Sequence, residues 1–385
     1  MRISHLMLSC FYIDNFNYQE NVLPRQNKQD GHEVQIIAST ETFVNNMQLG
    51  YLQPGSYINE DGIPVTRLPY KKLILASVSR KLRIYPKVYQ LLEGYSPDVI
   101  FCHGIQTFEL KTLMNYKKNN PDAKLYVDSH SDFNNSASGF LSNIILHRIY
   151  YKWLIKRALP FIDKIYCVNY ESILFLEKMY KIPRNTLTLY PLGGEILEDD
   201  IRNHKRIKMR ESLNIKKNDI LLIHTGKMVK EKRTEDLIQA FFNIKRNNLR
   251  LILIGMLADD VKLSVKRYLA NDPRIIYAGW KNANELVDYL CAGDLYVQPG
   301  SQSATMQNAL CYGCSAALYP HVSHKYLLGD RVFYVETIED MEKLFEEIST
   351  NRDKLEEKRK MSFSFAKATL DYRKLAALIY EDVTE

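Results

Sequence analysis

The sequence predicts an α/β protein built from two Rossmann-like domains facing one another across a cleft. Three observations carry this. Short apolar runs recur along all 385 residues, each followed by a helical pattern, which is the mark of βαβ units and parallel sheets. The runs outnumber the strands of one sheet of ordinary size. A charged stretch, EILEDDIRNHKRIKMRESLNIKKND, breaks the series between residues 191 and 218, leaving on either side a set of strands able to bury its own core.

In chain order the first set is ISHLMLSCFYI from Ile3, EVQIIAS from Glu33, DVIFCHG from Asp98, KLYVDSH from Lys124 and KIYCVN from Lys164. The second set is ILLIHTG from Ile220, LRLILIG from Leu249, IIYAG from Ile275, DLYVQPG from Asp294, SAALYP from Ser315 and RVFYV from Arg331. The expected domains are 1–195 and 196–362, with a tail, 363–385, that completes the first. From Ser362 that tail offers Phe365, Leu370, Tyr372, Leu375, Leu378 and Ile379 as the apolar face of a helix that packs back on the first domain. Such sheets present their chemistry at the carboxyl ends of the strands.

The N-terminus, MRISHLMLSCFYID, lacks the cleavage site of a signal peptide, and no run of eighteen apolar residues occurs; a cytoplasmic protein is expected. Six cysteines in mostly apolar contexts suit reduced, buried thiols, and the pair in CYGC lacks the partner ligands of a zinc site. The net charge is +7, and the cations cluster in YKKLILASVSRKLRIYPKVYQLLEGY (70–95) and HRIYYKWLIKRALP (147–160), mixed with aromatic and aliphatic residues. Each reads either as an interfacial helix at an anionic lipid surface or as an amphipathic helix with a solvated basic face. No nucleic-acid module accompanies the charge.

The most informative stretch is DLYVQPGSQSATMQNALCYGCSAAL. It reads as a strand (Leu295–Gln298), a turn at Pro299-Gly300, a polar loop and a helix from about Ala304 to Tyr312. Unpaired N–H groups at such a helix start favour an anion, and Ser301, Gln302, Ser303 and Thr305 add neutral donors; the other reading is a capped helix. A second cationic strand end, HTGKMVKEKRTEDLIQAFFNI, sets Lys227, Lys230, Lys232 and Arg233 before a helix that begins near Thr234, whose hydroxyl offers a cap. This loop suits either a diphosphate or solvent. Asp128, His130 and Asp132 alternate at the end of KLYVD, a spacing open to a metal or to polar contacts at the floor of the cleft. No glycine fingerprint for a dinucleotide and no complete ATP-binding P-loop occur.

These residues resemble a known family, the family 4 retaining glycosyltransferases of the GT-B fold. HTGKMVKEKRTEDLIQAF is similar to their strand, Gly-Arg, Lys and helix signature, and IIYAGWKNANELVDYLCAGDLYVQPG to their segment from the nucleotide-base contact to the catalytic loop. The likeness spans nearly the whole chain and is densest from Ile220 to Leu318.

The resemblance implies a diphosphate-binding role for Lys232 and for Lys227, which stands where an arginine is usual. It places His130 near the reacting end of the sugar. These three form the implied catalytic group. Gly226, Trp280, Ser301, Gln302, Ser303, Ala304, Thr305, Gln307 and Asn308 form the implied donor-binding group. The family's two glutamates fall instead at Gly300 or Gln302 and at Asn308, and no carboxylate occurs from Leu295 to His321.

The implied activity is that of a transferase moving a sugar, with retention, from a nucleoside diphosphate donor, UDP foremost, to a glycan acceptor. The acceptor is expected to be lipid-linked, in surface polysaccharide biosynthesis. No cofactor, metal or nucleic acid enters, and peripheral contact with the inner membrane face through 70–95 and 147–160 is expected. The alternative is a GT-B-like protein without turnover that binds a nucleotide sugar or a partner subunit.

Overall fold

The computed structural model describes residues 1–44, 48–72, 76–133, 136 and 142–384. The chain divides into two compact units, 1–191 with 372–385 and 192–371.

In the first unit the strands are β1 (Arg2–Met7), β2 (Glu33–Ser39), β3 (Glu41–Val44), β4 (Gln48–Tyr51), β5 (Gly55–Ile58), β6 (Pro64–Leu68), β7 (Val99–Cys102), β8 (Lys124–Ser129), β9 (Lys164–Cys167) and β10 (Leu187–Leu189). Eight of them form a sheet in the order β10-β9-β8-β7-β1-β2-β6-β5, parallel except for the β5–β6 pair; β3 and β4 form a separate hairpin. The apolar run from Ile3 leaves the sheet after Met7, as β2 and β7 flank only its first residues.

The second unit holds β11 (Ile220–Met228), β12 (Leu249–Leu257), β13 (Ile275–Gly279), β14 (Leu295–Gln298), β15 (Ser315–Leu318) and β16 (Phe333–Tyr334). They form one parallel sheet in the order β13-β12-β11-β14-β15-β16. Apolar side chains cover both faces, with Leu222, Leu251 and Val297 in one cluster and Ile223, Ile252 and Tyr296 in the other. Burial on both faces explains why these strands read as continuous apolar runs rather than alternating ones. Strand order reverses between β1 and β7 in the first unit and between β11 and β14 in the second. Ligands of such sheets bind at these switch points.

Three expectations are corrected. The stretch read as a break is in large part a helix, Asp199–Ser212, which belongs to the second unit. The return to the first unit begins at Tyr372 rather than at 363, because helix Asp353–Phe365 packs within the second unit. The tail is therefore not one helix with one apolar face. Phe365 and Leu370 join a core of the second unit, the backbone is extended at Asp371, and Leu375 and Ile379 join a core of the first. The basic stretch 70–95 likewise splits into helices Ala76–Leu82 and Val88–Tyr95, with left-handed backbone at Arg83 and Lys87 between them; its residues 73–75 lie outside the described ones. Tyr85 is buried there and donates to the Leu8 carbonyl, so this aromatic residue serves the core.

Candidate functional site

At the switch point of the second unit two loops dock. After β11 the chain makes a single turn at Lys230–Lys232, turns left-handed at Arg233, and enters helix Thr234–Asn243. After β14 it passes Pro299–Ala304 into helix Thr305–Cys311. Gly300 is required here: a Cβ on it would collide with the Glu231 carbonyl and the Lys232 backbone. Ser301 N donates to the Glu231 carbonyl at 2.8 Å, and Arg233 donates to the carbonyls of Pro299 and Glu336. His321 Nε2 lies 3.1 Å from the Gly300 carbonyl, and Gln298 Nε2 donates to that of Ser301.

Lys232 is the cation this docking positions. Its Nζ donates to the Ser301 and Gln302 carbonyls, both at 3.2 Å, and burial lowers its pKa from the ordinary lysine value. An ammonium has three donors, so one remains for an incoming anion. Lys227 and Lys230 are exposed beside it. Arg233, which the sequence pattern groups with these cations, instead clamps the neighbouring loop and pairs with Asp236 at 2.7 Å.

Two expectations at the helix starts change. The Thr234 hydroxyl does not cap its helix. It lies 2.9 Å from Nε2 of buried His224, whose Nδ1 lies 2.8 Å from the Val297 carbonyl. Because that carbonyl only accepts, Nδ1 carries the proton and Nε2 accepts from the threonine. At the second helix start, Thr305 N and Met306 N turn back on Ser303 Oγ (3.4 Å) and the Ser303 carbonyl (3.2 Å). These amides are weakly engaged rather than unpaired, and the lysines carry more of any anion site.

The other implied donor-binding residues lie along the same edge or near it. Gly226 lies near the carboxyl end of β11 in a positive-φ conformation, and a Cβ on its neighbour Gly255 would collide with the Gly226 carbonyl. Trp280 follows β13 and is 65% exposed, so it is not a core residue. Gln302 and Ala304 are exposed, Gln307 keeps a buried Oε1 without a hydrogen-bond partner, and Asn308 Oδ1 packs against Gly194.

In the first unit His130 follows β8, next to a buried network at the β1–β7 switch. Its Nε2 lies 3.5 Å from Asp128 Oδ2 and 4.0 Å from Glu20 Oε1. Burial acts to lower the His130 pKa, but Asp128, by charge and hydrogen bond, and then Glu20 raise it to about 9. Burial acts the other way on Asp128, yet His103 and His130 hold its pKa well below the usual carboxylate range. The alternation read for Asp128, His130 and Asp132 does not continue, because the strand ends at Ser129. Among the described residues no group of three His, Cys, Asp or Glu side chains is arranged to hold a metal. Sequence reasoning missed His5, Asn27 and His103 as members of this network. The signal was a histidine within each of two neighbouring parallel runs, ISHLM and VIFCH.

Comparison with known proteins supplies the context. Residues 205–362 match the model of the family described as glycosyl transferases group 1. No curated protein matches the chain in sequence. Among solved structures, Anabaena Alr3699/HepE in complex with UDP superposes with a TM-score of 0.67 at 13% identity, over 100% of both chains. Sucrose-phosphate synthase from Thermosynechococcus elongatus gives 0.65 at 12%, over 100% of this chain and 98% of that one. WaaG, a glycosyltransferase involved in lipopolysaccharide biosynthesis, gives 0.58 at 12%, over 99% and 98%. At these identities the likeness establishes the fold, which is GT-B.

Proposed function

We propose that this GT-B protein, whose residues 205–362 match the glycosyl transferases group 1 module, transfers a sugar from a UDP-linked donor to a glycan acceptor with retention at the anomeric carbon. The observation that carries this is Lys232, anchored by two carbonyls of the loop after β14 with one donor to spare. When the sugar–phosphate bond breaks, negative charge grows on the departing diphosphate. Preorganised cations stabilise that charge more in the transition state than in the ground state. Lys232 and exposed Lys227 supply it. UDP is favoured as the carrier because HepE, of the same fold, was determined with UDP bound.

No carboxylate occurs from Leu295 to His321, so the loop offers neither a nucleophile nor a base of that kind. In this reading the leaving diphosphate itself takes the acceptor proton, and Gln302, Gln307 and Asn308 orient sugar hydroxyls through their amides. The same absence favours a second reading, a nucleotide-sugar-binding subunit without turnover. One experiment separates them. Purified protein given UDP-sugars and a lipid extract should release UDP, and Lys232→Ala should lower that rate by about 10²–10³ with its circular dichroism unchanged. Binding of UDP-sugar without UDP release under any acceptor would establish the second reading, and an unaffected Lys232→Ala would place the diphosphate elsewhere.

The first unit supports a lipid-linked acceptor. Ile149 and Trp153 are 60% and 51% exposed. Near them lies a cavity lined by Phe133, Arg148, Lys152, Lys178, Met179 and Lys181. Cations beside exposed Trp and Ile suit the phosphate level of an anionic bilayer, where each contributes about 1 kcal/mol. Changing Lys152, Lys178 and Lys181 together to Ala should reduce co-sedimentation with phosphatidylglycerol vesicles several-fold at low salt. Neutralising Lys71, Lys72, Arg80, Lys81 and Arg83 should do less, because helix 76–82 is short and is broken by left-handed backbone at Arg83. The reverse ranking would move the membrane surface to that segment.

A further inference from the structure

A continuous chain of hydrogen bonds runs beneath His130. Asn27 Nδ2 donates to the Ala376 carbonyl at 3.2 Å, which leaves Asn27 Oδ1 as an acceptor facing His5 Nε2 at 3.0 Å. His5 Nδ1 faces His103 Nε2 at 3.1 Å, and His103 Nδ1 faces Asp128 Oδ2 at 3.0 Å. The other carboxylate oxygen accepts from Gly104 N at 2.7 Å. His5, Asn27, His103 and Asp128 are all fully buried.

The protons of this chain can be counted. Asn27 Oδ1 and the Asp128 carboxylate only accept, so His5 Nε2 and His103 Nδ1 each carry a hydrogen. The nitrogens between the rings share one more, since two lone pairs facing each other at 3.1 Å in a buried site would leave both unsatisfied. Two neutral imidazoles hold two ring protons; this pair needs three. Burial and the neighbouring His103 lower the His5 pKa to about 3, which puts the extra proton on the ring beside the carboxylate.

We infer that His5 and His103 together carry one buried positive charge, that Asp128 is its counter-ion, and that Asp128, divided between His103 and His130, sets the position and charge of His130. His103 and Asp128 are thus positioning residues for His130. The groups that interact with Asp128 are His5 from β1, His103 and Cys102 from the β7 end, His130 from its own strand end, Cys167 from β9, Tyr190 after β10, and Cys10, while Glu20 from helix Gln19–Gln29 acts on His130. Burial raises the pKa of all three cysteines and of Tyr190, so these stay neutral. The charges that remain are those of the histidines, Asp128 and Glu20.

The consequence for catalysis rests on the sugar-transfer reading; the proton count does not. The test is NMR of protein labelled with ¹⁵N-histidine, with ring nitrogens assigned through His5→Gln and His103→Gln. At pH 7 the His5–His103 pair should show three protonated ring nitrogens. The His130 titration midpoint should fall by more than about one pH unit in Asp128→Asn, which removes its anion. It should rise in His103→Gln, which frees the whole carboxylate for His130. A support that is merely structural would not move the midpoint in opposite directions. Two ring protons on the pair, or a His130 midpoint unmoved by Asp128→Asn, would overturn the inference. Should Asp128→Asn fail to fold, a midpoint that stays or falls in His103→Gln overturns it equally. None of these readings depends on turnover, so a failure of the transferase reading would be seen separately.

Discussion

Asp294 shows what one residue does for the second unit. It is fully buried at the start of β14 and accepts from Arg206 at 2.6 Å, from Arg210 and Arg352 at 3.1 Å, and from Leu221 N at 2.8 Å; Arg359 lies 3.5 Å away. Burial alone would raise its pKa, but Arg206, Arg359 and Arg210 outweigh that and lower it. The guanidiniums also donate to helix-end carbonyls, Arg206 to Cys291, Ala292 and Gly293 and Arg359 to Gly313. Removing the carboxylate leaves these cations facing one another. Asp294→Ala should therefore cost about 3–5 kcal/mol in urea unfolding, as for other broken buried ion pairs, and Asp294→Asn less; a loss below about 1 kcal/mol would mean solvent already screens the cluster. The sequence shows Asp294 plainly and its partners not at all. They stand 58 to 88 positions away, in a stretch that reads as a linker and in the last long helix.

At the scale of elements, legibility in the sequence tracks burial. Parallel strands covered on both faces are written as apolar runs, and each such run became a strand. The antiparallel edge did not announce itself. β5 (GSYI) is largely exposed, and β6 (PVTRL) begins with a proline and owes its place to pairing with β2 and β5. The helix after β14 was also legible, but the docking of its loop on the Lys230–Arg233 turn was not, since backbone contacts between distant loops leave no pattern in side-chain type. Gly300 is where that docking is decided. Gly300→Ala should force the loops apart, lowering UDP affinity at least tenfold (about 1.4 kcal/mol), measured by calorimetry. Unchanged affinity would mean that Lys232 finds the diphosphate without help from the neighbouring loop.

For the whole molecule, buried histidines in both units make stability depend on pH from two sides. Burial first, then nearby charge, lowers the pKa of His224 and His324 to about 4 and that of His5 to about 3. Unfolding returns each to the ordinary value near 6.5. Between pH 6.5 and those folded values the unfolded chain binds protons that the native one does not, so each histidine's contribution, on the order of a few kcal/mol, drains away as pH falls. Asp128 and Asp294, whose pKa values are lowered, keep their contribution above the ordinary carboxylate value and lose it only in stronger acid. His130 has the opposite sign: its pKa is raised to about 9, so its pairing is complete below pH 6.5 and is lost as pH rises through 9. The thermal midpoint should thus be highest near neutral pH, fall steeply from pH 6 to 4.5 and fall mildly above pH 8. His224→Gln should lower the neutral midpoint and flatten the acid limb, because one proton-linked group is gone; a wild-type midpoint constant from pH 7 to 4.5 would show that these histidines take up protons equally in the folded and unfolded chain.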